Sequence, residues 1–139
     1  MAAKETGMKI ASLDNRHNNS IPPRAVSVAN HTGVGLWCWN PTNGDFAADQ
    51  ELLKVLGISE DADYDDLSDL VHKDDRDRVI DVATMVMQNG SYDVIFKIVR
   101  PCDGKVRLCH SRGVAVSTTL VHGFTIDITD AMASWQVCD

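Results

Sequence analysis

The chain has 139 residues and 15.2 kDa, with 44% apolar residues, 24% charged residues and a net charge of −7, which suits one soluble domain with arms and a single core. That charge argues against a nucleic-acid backbone as partner, because phosphate contacts need clustered Lys and Arg. No run approaches the roughly 18 apolar residues of a membrane span, and the opening M-A-A-K-E-T-G-M-K-I-A-S lacks the apolar core of a secretory signal. The expectation is a cytoplasmic chain that contacts neither membrane nor nucleic acid.

Residues 1–23 are polar and irregular, ending at Pro22-Pro23, and read as a flexible arm. Residues 24–32 carry Ala25, Val26, Val28 and Ala29, enough for a short helix that covers the sheet or pairs with a second copy of itself. Gly35 to Asn40 alternates, which places Trp37 and Trp39 on one face of a first strand. Asn40 to Gly44 is a turn, and Asp45 to Ala48 a short second strand. Asp49 suits the N-cap of a helix over Gln50 to Leu56, closed by Gly57.

Glu60 to Asp77 holds nine acidic residues. Asp61, Asp63 and Asp65 imitate a calcium loop, but Asp66 stands where glycine is needed and His72 where glutamate is needed, so the stretch reads as a solvated loop. From Asp74 to Asn89, Val79, Val82, Ala83, Val86 and Met87 follow helical spacing, with three aspartates in the first turn and Gly90 past the end.

Tyr92 to Gly113 reads as two long strands joined at Asp103-Gly104, a strong hairpin signal. A three-residue loop, Cys102 to Gly104, pairs Ile98 with Leu108 and Phe96 with His110, keeping Leu108 in the core and turning His110 inward. A two- or four-residue loop instead sets Cys109 opposite Ile98 or Phe96 and flips every side chain. The three-residue register is the expectation. A last strand, Gly123 to Thr129, follows a turn, and 131–139 reads as the start of an exit helix or tail. Two strands, a helical stretch and a three-strand meander make an α+β domain with an antiparallel sheet.

Four blocks in this order resemble PAS domains of the tryptophan-containing subtype: G-L-W-C-W-N-P-T-N-G at 35–44, V-H-K-D-D-R-D-R-V at 71–79, D-V-I-F-K-I-V-R-P-C-D-G-K-V-R-L at 93–108 and G-F-T-I-D-I-T at 123–129. The resemblance covers residues 33–130. It departs from the family pattern at Lys73, where proline is usual, and at Leu108, where tryptophan is common.

The resemblance implies a PAS fold, with a five-stranded antiparallel sheet, helices packed on one face and a small internal cavity. It also implies a sensory and interaction module that dimerises and hands its signal to an output such as a histidine kinase or another signalling partner. The chain is then either an excised input domain or a stand-alone protein acting through partners. Val86, Phe96, Ile98, Leu108 and His110 are the candidates for the wall of a cavity holding a small-molecule ligand. Trp37 and Trp39 are candidates for the contact face, and Asp127 and Thr129 for the junction that couples the sheet to the exit helix, with Asp127 pairing an arginine. The plainer reading makes Thr129 or Asp130 a helix N-cap.

No cofactor is expected, with haem or flavin binding as the alternative. The stretch 74–89 carries no histidine for haem, His72 suits a helix start, and His110 is the better candidate ligand. The flavin-adduct motif Asn-Cys-Arg-Phe-Leu-Gln is missing. Four cysteines at 38, 102, 109 and 138 match no metal spacing and read as free thiols. No nucleophile elbow, phosphate loop or His-Glu-x-x-His motif supports catalysis.

Overall fold

The computed structural model of the chain describes residues 8–12, 33–60, 63–64 and 67–132. Five antiparallel strands form its centre: β2 (Val34–Trp39), β3 (Phe46–Ala48), β5 (Ser91–Val99), β6 (Val106–Ala115) and β7 (Val121–Asp127). They lie side by side in the order β3-β2-β7-β6-β5. Two further strands extend the sheet beyond β3. β1 (Met8–Ser12) runs parallel to β3 with Ile10 opposite Phe46, and β4 (Asp63–Tyr64) pairs with β1. Residues 8–12 were expected to be part of an irregular arm, and they are a strand. The expected helix over 24–32, the tail 133–139 and residues 61–62 and 65–66 of the calcium-like loop lie outside the described residues.

One face of the sheet carries the helices. α1 (Gln50–Leu56) begins at Asp49, whose side chain accepts the Leu52 N–H at 2.9 Å and the Leu36 N–H at 3.1 Å. A single carboxylate therefore caps the helix and ties it to β2. Gly57 ends the helix at φ 71°, a left-handed cap that costs glycine nothing. Leu52, Leu53, Val55 and Leu56 are all buried.

The helix expected over 74–89 is interrupted. α2 (Arg76–Thr84) stops at Met85, and a single turn, α3 (Val86–Asn89), continues to Gly90. At the break the Met85 N–H is shared between the carbonyls of Asp81 and Val82, while the Thr84 hydroxyl donates back to Ile80 O at 2.7 Å. Such back-bonding competes with the regular ladder and bends helices. Asp75 does not cap α2 with its side chain. Its Oδ2 accepts the Lys97 N–H at 2.8 Å instead, docking the helix start on β5. That bond leads the influences that lower the Asp75 pKa, and Arg78 adds to it.

The hairpin register differs from expectation. Val99 pairs with Val106, Phe96 with Cys109 and Ile95 with His110, so the loop has four residues, Pro101 to Gly104. Gly104 takes φ 71° and donates its N–H to Arg100 O at 2.7 Å. Val94, Phe96 and Ile98 face inward as expected, but the one-residue slip sets Cys109 and Ser111 beside them in place of Leu108 and His110, and all five are buried. The helices and these strands share one core, with Trp37, Leu70, Val79, Val86 and Val121 also buried in it.

Candidate functional site

Between the helices and the inner sheet face lies a cavity of about 150 Å³. Its sheet wall includes Trp37, Trp39, Phe46, Phe96 and Ile98, and its helical wall Leu52, Val79 and Ala83. Strand alternation puts Trp37 and Trp39 on the same inner face. Trp37 is 5% exposed; it stacks on Phe46 at 6.1 Å and meets the Tyr92 edge at 5.8 Å. Burial pushes the Tyr92 hydroxyl up to about 12, against a weaker opposing pull from Arg78, so it stays neutral at ordinary pH.

Room for Trp37 comes from two glycines. Gly113 and Gly123 face each other across β6 and β7. A Cβ on Gly123 would lie 2.2 Å from Trp37 Cζ2, and one on Gly113 would lie 2.7 Å from Trp37 Cη2. Glycine inside a strand marks this kind of close approach.

The polar part of the wall holds a hydroxyl pair, Thr125 and Ser111, with Ser68 and Tyr92 also on the lining. The Trp37 indole N–H donates to Thr125 Oγ1 at 3.1 Å, and Thr125 Oγ1 lies 2.9 Å from Ser111 Oγ. Ser111 has a second, longer contact of 3.4 Å with Phe124 O. Thr125 and Ser111 are each 4% exposed, so mutual bonding is what makes their burial tolerable. Among the described residues, no charged side chain, histidine or cysteine lines the cavity. The described wall therefore offers no histidine to a haem iron and no thiol for a flavin adduct.

Further along the same strands, two alternate positions from Ser111 on β6 and one from Thr125 on β7, the inner face becomes ionic. Arg107 Nε donates to Asp127 Oδ2 at 2.7 Å and Arg107 Nη2 lies 3.5 Å from Asp130 Oδ2. Asp127 Oδ1 accepts the Thr129 N–H at 2.9 Å, and Thr129 Oγ1 accepts the Leu108 N–H at 2.7 Å. Burial works to raise the Asp127 pKa, but the bonds from Arg107 and Thr129 outweigh it and hold the carboxyl below its usual 3.8. The Asp127 hydrogen bond raises the pKa of Arg107 in turn, against the opposing effect of burial. These bonds fold the chain after β7 into a helical turn at 129–132, where Met132 N–H reaches Ile128 O. The Thr129 hydroxyl is spent on β6 rather than on a cap.

The structure gathers some candidate residues and separates others. Phe96 and Ile98 lie on the cavity wall. Val86 is fully buried in the core but is not part of that wall. Leu108 and His110 are a correction: the four-residue loop turns both to the outer face, where His110 Nε2 sits 2.8 Å from Asp93 Oδ1. Trp37 and Trp39 belong to the cavity, not to an exposed contact face. The exposed apolar residues of the outer face are Ile95, Val99, Val106 and Val114. Asp127 and Thr129 stand together at the junction.

Sequence reasoning missed Ser111, Thr125, Gly113, Gly123 and Tyr92. Their signal was hydroxyls and glycines at alternate positions within apolar strands. Cys38 and Cys109 are buried free thiols. Burial raises Cys38 to about 11; burial, aided by Asp127, raises Cys109 to about 12, so both are inert at neutral pH. Among the described residues there is no group of metal ligands, and no helix is long and apolar enough to cross a membrane.

An antiparallel five-stranded sheet, helices on one face and a small cavity between them define a PAS-type domain. Residues 46–121 match the family model described as PAS fold, and the chain belongs to that family. Its structure is similar to that of a sensory box histidine kinase/response regulator from Burkholderia thailandensis, at 25% identity and TM-score 0.67 over 83% of this chain and 92% of that one. It also resembles a PAS domain from Colwellia psychrerythraea, at 14% identity and TM-score 0.58, covering 77% and 96% of the two chains. A third likeness is to an RNA-binding light-oxygen-voltage receptor, at 17% identity and TM-score 0.63, covering 76% of this chain and 30% of that one. The last two show the fold alone. No curated protein matches the chain.

Proposed function

We propose that the chain is a cytoplasmic, non-catalytic PAS signal-input and interaction module. It works as a dimer and passes the state of its cavity through the sheet and the exit segment to an output such as a histidine kinase. One observation carries this reading. Thr125, on the cavity wall, and Asp127, at the exit, are alternate inner-face residues of β7; on β6, Ser111 pairs with Thr125, and Arg107 reaches Asp127 diagonally past Cys109. A shift in the hydroxyl pair acts on the same two strands that hold the Arg107–Asp127–Thr129 junction. The likeness to a sensory box histidine kinase supports the class of output. No feature of the cavity wall favours haem or flavin over this reading.

Hydrogen exchange tests it. Filling the cavity with Ala83→Leu, or narrowing it from the sheet side with Ser111→Val, should alter protection of the Leu108, Ile128 and Thr129 amides relative to the distant turn at 40–44. Changes confined to residues that touch the cavity, in both variants, would overturn the coupling.

A further inference from the structure

The chemistry of the cavity wall restricts its occupant, an inference that rests on the sensory reading above. Size comes first. At about 150 Å³ the cavity matches the dry apolar voids that hold benzene or xenon, and it falls below the roughly 300 Å³ at which pockets for drug-sized ligands begin. A flavin or a porphyrin exceeds it. Charge comes second. No ionised side chain of the described residues lines the cavity, and an ion buried without a partner is strongly disfavoured.

Direction comes third. Thr125 Oγ1 accepts the Trp37 N–H, and either hydroxyl of the Thr125–Ser111 pair can donate to the other. If Ser111 donates, the Thr125 hydrogen has no acceptor among the described residues. If Thr125 donates, the Ser111 hydrogen has only the 3.4 Å contact with Phe124 O. In both arrangements one O–H is poorly used and can serve a ligand oxygen. Flat walls from Trp37 and Phe46, with the Tyr92 edge beside them, suit a ring in stacked or edge contact.

We propose that the cavity binds a neutral, single-ring aromatic molecule bearing one oxygen, with the oxygen on the Thr125–Ser111 pair and the ring against Trp37 and Phe46. The full chain would be titrated by calorimetry and tryptophan fluorescence with phenol, toluene, benzoate, FMN and haem. Phenol and toluene should bind and benzoate should not. Ser111→Ala, which keeps the Trp37–Thr125 bond, should weaken phenol about tenfold, the ratio one net hydrogen bond supplies, and leave toluene within about twofold. Thr125→Val gives the same contrast should Ser111→Ala fold poorly. Benzoate binding as tightly as phenol, or equal losses for phenol and toluene, would overturn the proposal. Binding of FMN or haem without the single rings overturns it while the sensory reading stands. If nothing binds and the cavity-filling variants leave the junction amides unchanged, both fall.

Discussion

Gly113 and Gly123 show how a single atom governs the site. Each lies under the Trp37 indole, and neither takes a backbone conformation reserved for glycine. The constraint is space alone. Gly123→Ala should cost about 3 kcal/mol, the upper end of overpacking, because its Cβ meets both Trp37 and the Arg112 carbonyl at 2.4 Å. Gly113→Ala should cost less. Its contacts are chiefly with the indole, so pairing it with Trp37→Phe should recover most of the loss in a double-mutant cycle read by urea denaturation. The same pairing should rescue Gly123→Ala only in part, since the backbone clash remains. No rescue at either position would show that Trp37 is not the obstacle, and equal rescue at both would show that the Arg112 carbonyl adds nothing at Gly123. From sequence, these glycines looked like ordinary strand residues, because close approach depends on which side chain crosses them, and that is set on β2, one strand from Gly123 and two from Gly113.

At the scale of elements, the sequence displays caps and strands better than registers. Asp49, Gly57 and the alternation of Val94, Phe96 and Ile98 announce their roles locally. The hairpin register turned on whether the loop took three residues or four, and preference for a buried Leu108 pointed to three. The fold instead places Cys109 and Ser111 inside, where Ser111 is satisfied by Thr125, a partner 14 residues away. That compensation is invisible in either strand alone, so His110 was misplaced with Leu108. The exit junction was half legible: Asp127 and Thr129 were recognisable, but Arg107 as the partner required the β6–β7 pairing.

The junction makes a pH prediction. Asp127 is held below its usual 3.8, so its ionised form stabilises the fold fully above that value and the contribution is lost as pH falls through the lower folded pKa. Asp127→Asn should therefore lower the urea midpoint at pH 7, and the gap to the parent chain should shrink below about pH 4. Asp75 titrates in the same direction in both proteins, so it cancels in the comparison. A gap that stays constant down to pH 3 would mean that Arg107 gains nothing from the carboxylate.

At the scale of the whole molecule, the proposed dimer needs a surface for its second copy. The inner face is covered by helices. The β5 edge is also closed: Lys97 N–H bonds Asp75, Lys97 O accepts from His72 N–H, and Ile95 O accepts from Arg78 at 2.6 Å. Such coverage blocks edge-to-edge strand addition. Among the described residues, the outer face of β5 and β6 is open, with Ile95 46% exposed, Val106 50% and Val114 52%. Around them, Asp93, His110 and Arg112 form a small ionic cluster. Apolar residues bordered by charge are the composition of an association surface. The chain should therefore sediment as a concentration-dependent dimer. Ile95→Lys with Val114→Lys should shift it to monomer, because four added cations per dimer would face one another. Each substitution is at an exposed site, so the monomer's unfolding free energy, read by urea denaturation, should change by no more than about 0.5 kcal/mol per position. A parent chain that stays monomeric at high concentration would remove the dimer from the proposed function. A dimer that survives both lysines would place the interface on another surface.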